Sequence, residues 1–403
     1  MADDSRRNAP PPILAFAPHP WDNHWLSRQQ LLTRLAQRGW PVLYSYGPLH
    51  WWKRGTPVWQ KAALLGRVER REGGVLVDCP GRFPALWPRW PAWDRRVIAL
   101  TVARLLRALP DPNAPRIAML FHPMFEPYLE WLRPERTLYH VYDVYRLMDD
   151  WSPDKSVMEE RLVARADLIT ASSPGMARAL PGQGPQKARL LPNGADARRF
   201  AQVAASLPPC PADLANIPSP RIGYVGNINS KVDLEMIDRV AEHHPGWHWV
   251  FLGPVYMNGD REREVTARMR WERLQQRPNI HFLGLKSREE TPVYVAHMTV
   301  NVICYKIAAD DWVVHGYPTK LHEYLATGQP VVAAPQEAIL AFGDVVTIAA
   351  THEEWEAALA KAIAGNGAGT PATRRERALA NTWDSRVDLL EGWLMELTGR
   401  ACR

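Results

Sequence analysis

Cysteine is scarce and scattered. Four occur in 403 residues, Cys79, Cys210, Cys304 and Cys402, and none forms a Cys-x-x-Cys pair. This excludes a disulfide-stapled scaffold and the usual zinc-ligand spacings, and it fits a reducing compartment, the cytoplasm. No apolar run approaches the ~18 residues that a membrane-crossing helix needs. The first twelve residues are polar and proline-bearing, without the apolar core of a signal peptide. There is no run of basic residues of the kind that binds nucleic acid. The loop after the first strand lacks the glycine-rich dinucleotide fingerprint, which argues against a nicotinamide site there.

What is present is ordinary in bulk and unusual in one respect. Hydrophobic residues make up 46% and charged residues 23%, as in a globular chain with large cores, and the length suits two to three domains. A net charge of +6, from 49 basic and 43 acidic residues, favours anionic partners: phosphates, nucleic acid or an anionic lipid surface. The anomaly is tryptophan. There are 18, and 11 fall in the first 151 residues. They cluster at Trp51-Trp52-Lys53-Arg54 and in the segment 82–96, which holds Trp87, Trp90 and Trp93 among prolines and arginines. That segment reads either as an interfacial surface, with tryptophan at headgroup level and arginine on anionic lipid, or as an irregular loop packing its own aromatics.

Strands and helices alternate along the chain. Apolar runs predict strands at 13–17, 42–46, 75–77, 117–121, 137–141 and 168–171. Helices are predicted from Ser27 to Gly39 and over 97–109. Residues 203–220 hold five prolines, the strongest linker signal. The alternation then restarts, with strands at 222–225, 247–252, 280–283, 299–304, 331–334 and 345–349. This is a parallel α/β pattern repeated. Predicted boundaries are a disordered tail over 1–12, a first domain over 13–205, a linker over 206–220, a second domain over 221–375, and a helical segment over 376–403 that crosses back to the first domain.

The stretch from His315 to Ala334 reads as loop, helix, stop and buried strand. Pro318 suits a first helical turn. Gly328 suits the left-handed position after a helix, and Pro330 prevents continuation. Lys320 and Glu323, three apart, share a helix face. A helix start carrying Thr319 and Lys320 is a natural anion site, and a carboxylate one turn on can accept bonds from hydroxyls. Phosphate beside hydroxyls describes a nucleotide-sugar. An ordinary surface helix with an ion pair is the competing reading.

The order of motifs resembles the GT-B glycosyltransferases of the group 1 type, the retaining family 4. The resemblance rests on Leu191-Pro192-Asn193-Gly194-Ala195-Asp196 with Phe200, on Ile222-Gly223-Tyr224-Val225-Gly226-Asn227, on Asn279-Ile280-His281-Phe282-Leu283-Gly284, and on Pro318 through Val332. It implies two Rossmann-like domains facing a cleft, the second binding a nucleotide-sugar and the first an acceptor. Glu323 resembles the second member of the family's Glu-(seven residues)-Glu signature, a ribose contact. His315 stands where the first Glu falls, so His315, Asp310 or Asp311 would face the sugar. Lys320 and Lys231 resemble diphosphate contacts, with Gly226, Asn227, Gly284, Pro318 and Thr319 around them. On the acceptor side the resemblance points to His122. The neighbouring strand ends add Asp143, with a helix or turn cap as the alternative, and the loop residues His19, Trp21 and His24, with a packed aromatic loop as the alternative.

The implied function is transfer of a sugar from a nucleotide-sugar to a glycan or lipid-linked acceptor, in cell-surface polysaccharide assembly. Glu323, Lys320 and His122 are the expected catalytic residues. The sequence has no Asp-x-Asp, so fixed cations and helix amides are expected to stabilise the leaving diphosphate, with no metal and no cofactor. Retention of configuration is expected. Lipid-linked acceptors favour the interfacial reading of 82–96, on the cytoplasmic face of a membrane. Another sugar-nucleotide enzyme, such as an epimerase, and a non-catalytic polyanion-binding protein are the alternatives; nucleic acid is not an expected partner.

Overall fold

The computed structural model describes residues 10–22, 25–148, 151–257, 259, 262–307 and 312–400. The chain divides into two α/β units. One comprises residues 1–192 and 386–403, the other 193–385.

The first unit is built on an eight-stranded sheet. Its strands are β1 (Ile13–Phe16), β2 (Val42–Ser45), β3 (Arg67–Arg70), β4 (Leu76–Cys79), β5 (Ile117–Leu120), β6 (Arg136–Val141), β7 (Leu168–Ala171) and β8 (Ala188–Leu190), in the order β3-β4-β2-β1-β5-β6-β7-β8. All pairings are parallel except β3 with β4. Continuous apolar runs suit strands covered on both faces, and β1, β2 and β5 are buried along their whole length. Helices α1 (Ser27–Gln37), α2 (Pro91–Arg107) and α3 (Pro153–Arg165) connect them. The antiparallel edge strand β3 was not foreseen. Its sequence Arg-Val-Glu-Arg is mostly charged and only partly buried, so it carries no apolar-run signal. Helix α2 begins at Pro91, six residues ahead of the predicted Val97, because proline is favoured at a first helical position.

The second unit holds β9 (Arg221–Val225), β10 (His248–Leu252), β11 (Ile280–Gly284), β12 (Val300–Ile303), β13 (Val331–Ala333) and β14 (Thr347–Ile348), in the order β11-β10-β9-β12-β13-β14, all parallel. The strand order reverses between β9 and β12. Open α/β sheets bind ligands at the carboxyl ends of strands beside such a reversal. Two helices concern the site here: α4 (Ala197–Ala205) and α5 (Lys320–Thr327), which pack together.

The units part at Pro192/Asn193, ahead of the predicted linker at 206–220. The reason is packing. Phe200 of α4 is buried in the second core. Within the proline-rich segment Leu214 and Ile217 pack with Val250, Leu252, Tyr294 and Met298. The prolines mark a path over a surface, not a joint. The last helix, α6 (Trp383–Leu397), belongs to the first unit from Arg386 onward. Val387, Leu390 and Leu394 are wholly buried there. Arg38 bonds Glu391 (2.8 Å) and Asp388 (2.7 Å), and Trp40 Nε1 donates to Glu391 Oε1 (2.9 Å).

Candidate functional site

Three glycines end neighbouring strands of the second unit. Gly226 follows β9, Gly253 follows β10, and Gly284 ends β11. Gly226 N donates to Leu252 O and Gly253 N to Gly284 O, both at 2.8 Å. Gly226 and Gly253 have φ of +132° and +134°, a region that favours glycine. Their backbones also touch, since a Cβ on Gly253 would lie 2.3 Å from the Gly226 carbonyl oxygen. The row is pinned from below. Tyr324 OH accepts from Val225 N (2.7 Å), and Tyr224 OH donates to Asn227 O (3.0 Å). Asn227 itself is exposed.

Lys320, the first residue of α5, reaches this row. Its Nζ lies 3.8 Å from the centroid of the Tyr224 ring and 5.2 Å from that of Tyr305. It also rests against Gly226, where an added Cβ would stand 2.8 Å from it. The side chain is 8% exposed, and Nζ has no hydrogen-bond partner among the described residues. Burial, reinforced by the charge of Lys231, holds its pKa well below the usual lysine range. Two aromatic faces offset part of that cost, but they leave three N–H donors unmet. Half-buried Lys231 lies 5.1 Å from the same Tyr305 ring. The loop that carries it is tied to β12's end by the Val232–Tyr305 bridge and by Lys306 N donating to Lys231 O (2.8 Å).

Glu323 sits one turn further along α5, half-buried. Burial pushes its carboxyl up to about 7, against the opposing pull of Lys320; Asp196 adds to the rise. Asp196 is paired with Arg288 at 3.1 Å. Pro318 is buried and Thr319 exposed; no side chain caps the start of α5. Asn193 Nδ2 donates to Tyr317 O (2.9 Å), which ties the segment at Asn193 to the loop before α5. His315 ends the short helix Trp312–His315 and is half-buried. Asp310 and Asp311 lie outside the described residues.

The fold thus brings together Gly226, Lys231, Lys320 and Glu323, with Gly284 in the same glycine row. Sequence reading missed Tyr224, Tyr305 and Tyr324, which form the aromatic floor. Tyr224 stands in the Gly-Tyr-Val-Gly-Asn run. No local pattern shows that its ring lies under a lysine about a hundred residues away.

The first-unit candidates occupy strand ends. His19 is exposed beyond β1, and its carbonyl accepts from Tyr44 OH (2.6 Å). Trp21 is 4% exposed and edge-on to Tyr44 at 5.0 Å, the packed-aromatic arrangement that was the alternative for this loop. His24 lies outside the described residues. His122 follows β5 and is buried; its Nδ1 accepts from Met124 N (3.1 Å), and its ring meets Tyr145 at 4.4 Å. A neutral ring therefore carries its proton on Nε2. Asp143, beyond β6, accepts from Val144 N (3.0 Å). Among the described residues no group of three or more His, Cys, Asp or Glu is placed to hold a metal ion.

Comparison with known proteins agrees with this architecture. Residues 219–365 match the family described as Glycosyl transferases group 1. A protein of Bacillus subtilis (strain 168), named as a teichuronic acid biosynthesis glycosyltransferase, TuaH, is 29% identical over 177 residues. The match spans 43% of this chain and 42% of that one. Solved structures align along nearly the whole chain. An α,α-trehalose-phosphate synthase (UDP-forming) from Burkholderia vietnamiensis matches with TM-score 0.68 at 15% identity, covering 97% of this chain and 100% of the other. Sucrose-phosphate synthase from Thermosynechococcus elongatus gives 0.69 at 15%, covering 96% and 99%. Anabaena HepE in complex with UDP-glucose gives 0.67 at 14%, covering 96% and 99%. At such identities the likeness is one of fold, and the GT-B fold that the sequence implied is borne out.

Proposed function

We propose that the chain is a retaining, metal-independent glycosyltransferase that moves a sugar from a nucleotide-sugar to a glycan or lipid-linked acceptor in cell-surface polysaccharide assembly. One observation carries the reading: a buried ammonium with no hydrogen-bond acceptor among the described residues, held against a glycine row at a strand-order reversal. A diphosphate supplies what Lys320 lacks. Glycines let the phosphates approach the backbone, and the uncapped start of α5 offers further N–H donors. Glu323 one turn away suits the ribose hydroxyls. The family match over 219–365 and the UDP-glucose bound by HepE support the same assignment.

The chemistry follows from charge. As the glycosidic bond to phosphate breaks, negative charge grows on the nucleoside diphosphate. Lys320, Lys231 and the α5 amides are fixed in advance where that charge develops. The acceptor hydroxyl then needs to be held close to the anomeric carbon, the role assigned to the first unit with His122 and Asp143. The test is release of nucleoside diphosphate from a nucleotide-sugar. Release that depends on added acceptor supports transfer. A converted sugar still bound to nucleotide, formed without acceptor, would instead make the protein an epimerase-type enzyme.

A lipid-linked acceptor agrees with one further surface of the first unit. Segments 49–65 and 82–87 are joined by bridges between His50 and Leu86 and between Leu65 and Phe83. They expose Trp51, Trp52, Leu64, Leu65, Phe83 and Trp87, with Trp90 at 62% exposure beside them. Lys53, Arg54, Arg82, Arg89 and Arg96 are exposed around them. Aromatic and cationic side chains together fit an anionic bilayer surface. Among the described residues no helix is long and apolar enough to cross a membrane, so the contact proposed is peripheral, on the cytoplasmic face. Flotation with phosphatidylglycerol vesicles, lost in a Trp52→Ser/Trp90→Ser variant, is expected. Equal flotation of variant and parent would remove the membrane from the proposal.

A further inference from the structure

A second buried cation lies in the first unit. Arg28, the second residue of α1, is 1% exposed. Its Nε and Nη2 are buried and have no hydrogen-bond partner among the described residues. Those two nitrogens form one edge of the guanidinium, the fork that takes two oxygens of a carboxylate or phosphate side by side.

Among the described residues no carboxylate is paired with it, and the groups that interact with it are the Tyr44 and Tyr142 hydroxyls. Burial holds both phenols above their ordinary range, so neither supplies a negative charge. Buried Gln29 is already engaged: Nε2 donates to Trp21 O and Oε1 accepts from Leu26 N, both at 3.0 Å. The first turn of α1 has no acidic residue, and the positive end of the helix adds to the charge instead of offsetting it. A guanidinium buried for structure looks different. Arg374 in the second unit donates to four backbone carbonyls, those of Ala368, Gly328, Gly367 and Gly369. An unpaired buried charge costs stability that a packed apolar side chain would not. A site that receives an anion accounts for that cost.

Its position suits a ligand. Helix α1 follows β1, which lies between β2 and β5 where the first sheet's strand order reverses. Tyr44 is on β2 and Tyr142 directly follows β6. Tyr142 is half-buried, so the cluster reaches the surface through it. We infer that Arg28 anchors a second anion site, in the first unit, that takes a phosphate or carboxylate group carried by the acceptor. The site stands on Arg28's own surroundings; its assignment to the acceptor rests on the function proposed above.

The test uses the full chain and thermal shift, with Lys320→Met as background to remove the donor-side phosphate contact. Inorganic phosphate and glucuronate are titrated separately, and the larger response tells a phosphorylated acceptor from an acidic sugar. The site predicts a saturable rise in melting temperature in Lys320→Met that is lost in Arg28→Met/Lys320→Met. It also predicts that Arg28→Met without ligand melts no lower than the parent. The same response in both variants, no response in either, or a lower melting temperature for Arg28→Met would overturn it. Nucleoside diphosphate binding, measured on Arg28→Met, is expected to persist. Its absence from the parent chain would sink the enzyme reading and leave the Arg28 result standing.

Discussion

Lys320 and Glu323 are strained electrostatically in opposite senses, and each strain has a pH signature. Lys320 has its pKa pushed down, so the folded chain holds fewer protons than the unfolded chain between that lowered value and the usual 10.5. Its destabilising effect is therefore full at low pH and fades as pH rises toward that value. Lys320→Met is expected to raise the melting temperature at neutral pH, with the gain shrinking toward pH 10.5. A constant gain would mean that the ammonium is not buried unpaired. Glu323 has its pKa raised from 4.5 to about 7. The folded chain then holds an extra proton between those values, and stability falls as pH rises through that window. In Glu323→Gln that part of the decline should vanish in melting curves taken from pH 4.5 to 7. These two residues were legible in the sequence because helix start, spacing and stop all lie within a dozen positions. Arg28 was not, because its significance lies in what fails to surround it. For Trp21 the sequence leaves two readings open, because tryptophan in a loop reads the same whether it faces solvent or Tyr44.

At the scale of elements, α5 is the piece that matters, and its carboxyl end is secured by distant residues. Its carboxyl end has Gly328 in the left-handed conformation, as Gly-x-Pro punctuation implied. The last carbonyls are held by cations. Arg374 Nη1 donates to Gly328 O (2.9 Å) and Arg375 Nη2 to Thr327 O (3.0 Å), which also suits the negative helix end. Arg374→Ala would strand the four carbonyls that Arg374 bonds. Each hydrogen bond to a charged group contributes ~1.5–3 kcal/mol net. A loss of at least ~3 kcal/mol in urea unfolding is expected, together with weaker nucleoside diphosphate binding; a loss under ~1 kcal/mol would mean α5 is held otherwise. The central strands were readable because they are short apolar runs. The antiparallel β3 was not, because its charged residues owe their conformation to pairing with β4 and not to any local pattern.

Across the whole molecule, the chain's two ends cooperate in one unit. Val387, Leu390 and Leu394 on α6 are fully buried in the first unit, worth ~2 kcal/mol each. Arg136 Nε and Arg189 add bonds to Leu397 O (3.0 Å) and Glu396 (2.7 Å). A chain ending at Ser385 should show an early unfolding transition for the first unit. It should still bind nucleoside diphosphate, since every residue proposed for the donor side lies within 193–385. The return of the last helix was legible as a helical pattern beyond the second sheet. The unit boundary was not, because prolines signal a break in hydrogen bonding and say nothing about burial of the residues between them.

Titration calorimetry with a panel of nucleoside diphosphates, on parent and Lys320→Met chains together, tests most directly the diphosphate contact proposed for Lys320. At least one nucleoside diphosphate should bind the parent, and Lys320→Met should bind it tenfold or more weakly, as expected for loss of a charge-assisted contact. Equal affinity for both chains, or no binding by the parent, would contradict the account.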